Sequence, residues 1–406
     1  MKIGSISRLM ILRTKGTAHN LHTFQVLKVT RFKQKAYDDN YCLLIDMNET
    51  DLSDNLDSEL TIISTNKLDD NNCFNGQCIH SIKSLDHISE DDIVYIGTDG
   101  NLRTLYRKNS HQNYLLLTER CNSNCLMCSQ PPKDKDDIDH LHGIHLKLIP
   151  LIPKNCIELG LTGGEPTALG DRLFELLALI TRELPNTEIH ILTNGRAFAI
   201  NALAEKLSKL NNPRIMLGIP LYSDFYQIHD YVVQAKDAYY QTLMGIQNLK
   251  RYRVRVEIRV VLHKITIPRL ENLSEFIFRN MPFVDHVAFM GLEIMGFTKA
   301  NLQDLWIDPI DYMEELEKSV SYLARRKIHT SIYNTPLCLL PVDIWCFSRK
   351  SISDWKNVYF DECNKCVLKD ECGGLFASAD KKHSDHIKAF DQDPREEMPV
   401  PNSVYS

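Results

Sequence analysis

The sequence has no long apolar run. No stretch reaches the ~18 uncharged apolar residues that a membrane-spanning helix needs. The run nearest the amino end, Leu9-Met10-Ile11-Leu12, is bracketed by Arg8 and Arg13 and is too short for the core of a signal peptide. Excess positive charge is missing as well. Lysine and arginine number 47 against 53 aspartates and glutamates, for a net charge of -6 and a pI near 6.2. That balance offers no broad basic surface, so nucleic acid is not an expected partner. These absences point to a cytoplasmic protein with no membrane segment, in a compartment where disulfides rarely persist. What remains is ordinary globular composition, 43% hydrophobic and 25% charged over 406 residues. It is enough for a large core and two or three domains.

Cysteine does not suit that setting unless it serves chemistry, and there are 12 cysteines. Cys42, Cys73, Cys78 and Cys156 are scattered. Cys73 and Cys78 flank Asn75-Gly76 and read as unpaired loop thiols rather than metal ligands. The others form two clumps, which in a reducing compartment suggests two metal sites. The first is Cys121-x3-Cys125-x2-Cys128, after the apolar run Tyr114 to Leu117 and polar Thr118-Glu119-Arg120. This reads as a short buried strand entering a ligand loop. Clustered thiolates suit zinc or an iron–sulfur cluster, and a four-iron cluster normally takes four of them. With three, either a further ligand lies elsewhere (His111 or His140 for zinc) or one iron is left open for reaction. The second clump is Cys338-x7-Cys346 and Cys363-x2-Cys366-x5-Cys372. Its preferred ligand set is Cys338, Cys363, Cys366 and Cys372, enough for a closed cluster or a zinc site, with Cys346 either a packed thiol or the real fourth ligand.

Residues 1–110 alternate short apolar segments with polar loops, among them Asp69 to Asn72, and read as a small β-rich accessory domain. A hairpin is expected over Asp91 to Tyr106, turning at Thr98-Asp99-Gly100-Asn101. Over residues 111–335 strands and helices alternate. Strands are expected at Ile157 to Leu161, Glu188 to Leu192, Arg214 to Pro220, Val254 to Leu262, His286 to Met290 and Ile328 to Tyr333. Helices are expected at Asp171 to Glu183, Ala197 to Leu210, Ala238 to Tyr252 and Pro268 to Asn280, with another capped by Asp308 before Pro309. Such alternation means α/β architecture, a parallel sheet with right-handed crossovers. Six or seven units make an incomplete barrel. Residues 336–376 form a cysteine-rich region, and 377–406 a flexible tail.

In parallel α/β folds ligands sit at the carboxyl ends of the strands. The cysteine loop lies at such an end. After the next strand comes Thr162-Gly163-Gly164-Glu165-Pro166. Two glycines let the backbone approach a ligand, and Pro166 biases Glu165 toward an extended conformation. Bare backbone plus one carboxylate suits an ammonium group. Later strand ends carry Thr193-Asn194-Gly195-Arg196 and Tyr222-Ser223-Asp224. Glu257 and Arg259 lie among apolar residues of a later strand and face either each other or a ligand. Asn194-Gly195 reads equally as a turn.

The three-cysteine loop after one strand and Gly-Gly-Glu-Pro after the next resemble the radical SAM superfamily, over residues 112–335. The resemblance implies a partial (β/α)6-type barrel. It implies a 4Fe-4S cluster on Cys121, Cys125 and Cys128, whose open iron binds S-adenosyl-L-methionine. One electron from a low-potential donor then yields a 5′-deoxyadenosyl radical that removes a hydrogen from the substrate. Gly163, Gly164, Glu165 and Pro166 match the motif that holds the methionyl amine. Met127 falls where an apolar residue nears adenine, and Asn194, Ser223 and Arg259 are candidate contacts to ribose or carboxylate. The glycine-rich pattern usual on the fifth strand is not clear in Val256 to Leu262. A second 4Fe-4S cluster is expected on the C-terminal cysteines, with zinc the competing occupant.

Cys128-Ser129-Gln130-Pro131-Pro132, Met290-Gly291-Leu292-Glu293 and Ser351 to Asn357 further resemble the C-type radical SAM maturase of the His-Xaa-Ser peptide system. That family implies modification of a ribosomally made precursor peptide with His-Xaa-Ser repeats, beside a partner radical SAM maturase. Two other readings stay open. One is radical RNA modification, using Lys250-Arg251-Tyr252-Arg253 and Arg255 as a basic groove. The other is a non-catalytic zinc scaffold.

Overall fold

The computed structural model describes residues 12–45, 58–67, 76–350 and 357–397. Leu9 to Ile11, the Asp69 to Asn72 loop, Cys73, residues 351–356 and the tail beyond 397 lie outside the described residues.

The amino-terminal region is one mixed sheet. Its strands are β1 (Arg13–Lys15), β2 (Thr17–His19), β3 (Gln25–Thr30), β4 (Tyr41–Ile45), β5 (Thr61–Ser64), β6 (Gln77–His80), β7 (Ile93–Ile96) and β8 (Asn101–Tyr106). They run in the order β1-β8-β7-β3-β4-β5-β6-β2. The outermost strands β1 and β2 are separated in the chain only by Gly16, so one bent segment pairs with both edges and closes the sheet into a barrel. The bend requires glycine: a Cβ on Gly16 would stand 2.4 Å from His80 O. Val29, Cys42, Leu44, Ile63, Ile79 and Leu102 fill one side of the sheet and are at most 2% exposed. The expected hairpin is β7–β8, turning over 97–100. Cys78, expected in a loop, is instead buried within β6, because the apolar Ile79 beside it draws the segment into the sheet.

The second sheet is wholly parallel and sequential. It contains β9 (Gln112–Leu116), β10 (Glu158–Thr162), β11 (Glu188–Leu192), β12 (Ile215–Pro220), β13 (Arg255–Val261), β14 (His286–Met290), β15 (Thr330–Tyr333) and the two-residue β16 (Ser348–Arg349). Crossovers carry α1 (Ile138–Leu148), α2 (Asp171–Glu183), α3 (Asn201–Ser208), α4 (Tyr226–Val233), α5 (Ala238–Arg251), α6 (Leu270–Asn280), α7 (Phe297–Ala300), α8 (Leu302–Leu305) and α9 (Met313–Ala324). Six helical crossovers join β9 through β15, and the short β16 adds an eighth strand, making the expected incomplete barrel with β9 and β16 as its unjoined edges. The helix expected over 197–210 is a 3₁₀ turn (Arg196–Ala199) followed by α3. Asp308 caps as expected, accepting from the Ile310 amide at 3.2 Å, but the first turn is 3₁₀ and α9 follows it.

The strands do not read as the near-continuous apolar runs usual in parallel sheets. Leu159, Leu161, Ile189, Ile191, Leu217, Ile219, Val256 and Ile258 alternate outward under the helices and are at most 1% exposed. Glu158, His190, Glu257 and Arg259 alternate inward with Gly160 and Gly218. The core therefore lies between sheet and helices, and the lumen is polar. Each fully buried Leu or Ile contributes about 1.5–3 kcal/mol. Tyr95, Tyr106, Ile93 and Val26 of the first sheet join the same core, and Phe24 and Tyr95 pack on His140 of α1. The first sheet thus packs part of one face on the second while keeping a core of its own.

After β15 the chain makes 3₁₀ turns at Leu337–Leu339, Val342–Phe347 and Asp361–Lys365. Strands β17 (Asn357–Val358) and β18 (Leu375–Phe376) form a small antiparallel pair beside them.

Candidate active site at the carboxyl end of the half-barrel

The cysteine loop leaves β9 through a set of hydrogen bonds. Thr118 Oγ1 donates to Asp137 Oδ1 at 2.7 Å, and the Glu119 amide donates to Asp137 Oδ2 at 2.9 Å. Asp137 is 4% exposed and precedes α1, so one carboxylate ties the loop's root to the next helix. From β10, the Gly164 amide donates to Thr118 O and the Glu165 amide to Arg120 O, both at 2.8 Å. A Cβ on Gly163 would stand 2.4 Å from Thr118 O, and one on Gly164 2.0 Å from Arg120 O. Gly163 also has φ +151. The close approach these glycines permit is to the cysteine loop's own backbone, beside the cavity that they also line.

Glu165 adopts the extended conformation expected before Pro166, which opens a 3₁₀ turn. Its carboxylate is 2% exposed. It accepts from the Thr167 amide (3.0 Å), Thr167 Oγ1 (2.8 Å), Thr193 Oγ1 (2.6 Å) and the Asn194 amide (2.7 Å). These protein donors clamp the ends of β10 and β11 together. Asn194 Nδ2 donates to Asn122 Oδ1 at 2.6 Å, and its own Oδ1 accepts from the Arg196 amide at 3.0 Å. Arg196 completes the brace. Its Nη1 donates to Asn122 O (2.8 Å) and Ser123 Oγ (3.0 Å), and its Nε to Gln241 Oε1 (2.7 Å).

The thiols of Cys121, Cys125 and Cys128 are thereby gathered at one end of the barrel. Burial pushes Cys125 up to about 12, reinforced by Cys128 and Cys121 and opposed by Arg196. Burial likewise pushes Cys121 up to about 11, with Glu165 and Cys128 adding to it. These mutual effects mean the three thiols lie within electrostatic reach of one another. Among the described residues, no three His, Cys, Asp or Glu side chains converge as closely as a single ion requires. Thiolates on separate irons of one cluster need not converge on a point. Three thiols are the donor chemistry that an iron–sulfur cluster takes.

A cavity of about 670 Å³ begins at the three cysteines and runs into the lumen. Met127 lines it, backed by Tyr222, Val232, Val233 and Leu305. Asn194 and Arg259 also line it. Ser223 is placed differently: 1% exposed, it accepts from the Phe225 amide at 3.1 Å and is not part of the lining, where Tyr222 stands instead. Arg259 Nη1 donates to Glu257 Oε1 at 3.0 Å, so the ion pair and the cavity contact coexist. Glu257 Oε2 also lies 2.6 Å from His286 Nδ1, and Oε1 lies 3.4 Å from His190 Nε2. Burial opposes the Glu257 charge, but Arg259, His190 and His286 outweigh it and hold the carboxyl well below its usual range.

Cys338, Cys363, Cys366 and Cys372 lie within electrostatic reach of one another in the C-terminal region. Burial raises Cys338 to about 11, with Cys372 and Cys363 adding to it. Burial also raises Cys363 and Cys372, with Cys366 a charged neighbour of both. Cys346 is exposed, and its charged neighbours are Arg349 and Asp343, not the other thiols. Sequence reasoning missed Asp137 as a brace and His190 and His286 as lumen groups. The alternation of polar with apolar residues in Glu188 to Leu192 was the available signal. No described helix is long and apolar enough to cross a membrane.

Residues 115–277 match the family model of the radical SAM superfamily. An uncharacterized protein of Methanocaldococcus jannaschii, MJ0907, is 26% identical over 240 residues, 57% of this chain and 77% of that one. Among solved structures, Streptococcus suis SuiB bound to S-adenosylmethionine is 16% identical, with a TM-score of 0.45. That match covers 55% of this chain and 50% of SuiB, so the chain spans only half of that relative. Native anSMEcpe with bound AdoMet and Cp18Cys peptide is also 16% identical, with a TM-score of 0.46 over 68% of this chain and 91% of that one. The region that matches the radical SAM family model, residues 115–277, is thus the one that carries three braced thiols at the carboxyl end of a curled parallel sheet.

Proposed function

We propose that this chain is a radical SAM enzyme that modifies a ribosomally synthesised peptide. The observation that carries the reading is the gathering of Cys121, Cys125 and Cys128 at the head of a 670 Å³ cavity, against the Gly163-Gly164 turn. A 4Fe-4S cluster held there with S-adenosyl-L-methionine supplies one-electron cleavage of the sulfonium and abstraction of a hydrogen atom. The chain's own residues do the rest. Asp137, Glu165 and Arg196 keep the thiols in place, Met127 and Tyr222 offer apolar cavity wall, and Asn194 and Arg259 offer polar contacts to the cofactor.

Cys338, Cys363, Cys366 and Cys372 are proposed to hold a second cluster, with zinc the competing occupant. The peptide reading rests on the resemblance of Cys128 to Pro132, Met290 to Glu293 and Ser351 to Asn357 to the His-Xaa-Ser C-type maturase. With it come a precursor peptide carrying His-Xaa-Ser repeats, a partner radical SAM maturase and a low-potential electron donor. In this reading residues 1–110 are an accessory domain, 111–335 the partial barrel, 336–376 the auxiliary-cluster region and 377–406 a tail. RNA modification has less support, because Lys250 pairs with Asp285 at 2.7 Å and Arg255 with Glu188 at 2.8 Å.

Anaerobic reconstitution with iron and sulfide, then dithionite and S-adenosyl-L-methionine, should yield 5′-deoxyadenosine, and Cys125→Ala should abolish it. Cluster-loaded protein that yields none overturns the reading. Zinc bound without iron or sulfide would favour the scaffold instead.

A further inference from the structure

Strands β8 and β9 are joined by only the five residues 107–111, yet they form no ladder and belong to different sheets. Strands so close in the chain ordinarily pair as a hairpin. Here they part at a built turn, where Asn113 Oδ1 accepts from the Arg107 amide at 2.8 Å and Asn113 Nδ2 donates to Arg107 O at 3.1 Å. The cavity that begins at the cysteines runs into the space between them. Gln112, Tyr114 and Leu116 of β9 line one side of it, and Leu12, Thr104 and Leu105 the other.

The main chain of β9 faces this space. The Leu117 amide donates to Thr162 O of β10 at 2.8 Å. Backbone N–H and C=O groups alternate between the two edges of a strand. Asn113 and Leu115 therefore turn theirs toward β10, as Leu117 does, and Gln112, Tyr114 and Leu116 turn theirs away. Gln112 is covered: Ser110 Oγ donates to its carbonyl at 2.9 Å and accepts from its amide at 3.3 Å. Among the described residues, nothing pairs with the amides and carbonyls of Tyr114 and Leu116. Recessed backbone groups are nearly always paired. Exposed edges are usually blunted by lysine, proline or a bulge, and β9, Gln-Asn-Tyr-Leu-Leu in unbroken register, has none of these.

We propose that an extended segment of the substrate peptide adds to β9 as a further strand of the half-barrel sheet, held through its main chain by Tyr114 and Leu116. The proposal rests on the peptide-modifying reading. Donors and acceptors alternating along an edge match a peptide backbone in strand conformation. β8 and Leu12 wall the far side of the cleft, so the sheet of a second copy would meet that wall. Recognition of this kind tolerates varied side chains and delivers alternate ones to the lumen, where the cavity leads to the cysteines.

The test is amide hydrogen exchange on full-length, cluster-loaded protein with and without a synthetic peptide of His-Xaa-Ser repeats. In the free protein the Tyr114 and Leu116 amides should exchange faster than those of Asn113 and Leu115, and peptide should slow them about tenfold. Leu116→Pro removes an amide that faces away from β10, a position where a strand accepts proline. It should bind the labelled peptide about fivefold more weakly than Leu116→Ala, which loses the side chain alone, the size of one net hydrogen bond. If Leu116→Pro fails to fold, the wild-type exchange decides. Peptide that is bound and modified while both amides exchange as before overturns the proposal and leaves the peptide reading standing. Amides already as slow as Leu115 in the free protein also overturn it, because residues 1–11 or a second copy then cover the edge. Protein that forms 5′-deoxyadenosine yet neither binds nor modifies the peptide overturns the peptide reading, and the proposal with it.

Discussion

Arg196 reaches back 74 positions to hold Asn122 O, and 73 to Ser123 Oγ, between the first two cysteines. Charge-assisted hydrogen bonds of this kind contribute about 1.5–3 kcal/mol each. Arg196→Met should therefore leave the loop loose and its iron held about tenfold less tightly, measured as iron retained per chain under a chelator. Arg196→Lys should fall between, because a point charge cannot serve both acceptors and Gln241 at once. Retention equal to wild type in Arg196→Met would rule out the brace. The cysteines and the paired glycines were legible in the sequence because their chemistry is local and their spacing is short. Arg196 and Asp137 were not, since each matters through a partner that only folding brings near. Glu165 shows the same limit: its carboxylate was visible, but two of its four donors come from the end of another strand.

Among elements, the joint between β10 and the cysteine loop is the least tolerant. The alanine Cβ of Gly164→Ala would lie 2.0 Å from Arg120 O, a backbone atom that cannot turn aside. The variant should lose about 2 kcal/mol or more of stability in denaturant unfolding and bind little iron. Wild-type unfolding with full iron would mean the loop moves freely, against the geometry. Helix α2 and strand β14 were legible to the residue, because their apolar period is unbroken. Helix α1 was not, because histidines interrupt its buried stripe of Leu141, Ile144, His145 and Leu148. The closed first barrel was also hidden. Its sealing strands are three residues each, and their partners lie far along the chain.

For the whole molecule, three buried histidines set the acid limit. Burial lowers His145, His229 and His263 to about 3, with His142 and Arg103 adding to it at His145 and Arg196 at His229. An unfolded histidine takes up its proton near pH ~6.5. Below that pH the unfolded chain binds protons the folded one refuses, so the stability these residues lend is full above about 6.5 and is lost as the pH falls toward 3. Each contributes up to about 1.4 kcal/mol per pH unit in that window. His229 and His263 flank Tyr222 on the cavity wall, so the site should loosen early. Melting temperatures should fall between pH 7 and pH 5, and a flat profile would contradict this. The bend at Gly16 carries one more consequence, for the order of assembly. The segment 13–19 precedes every strand it must join, and it cannot settle until β6 and β8 exist to receive it. Long-range closure of this kind is slow, because loop entropy is lost before any contact is gained. A bulky residue at Gly16 would therefore clash in a late-forming contact and show first as faster unfolding. Because β8 belongs both to that seam and to the cavity lining, the defect would also reach the cavity wall, far from any cysteine.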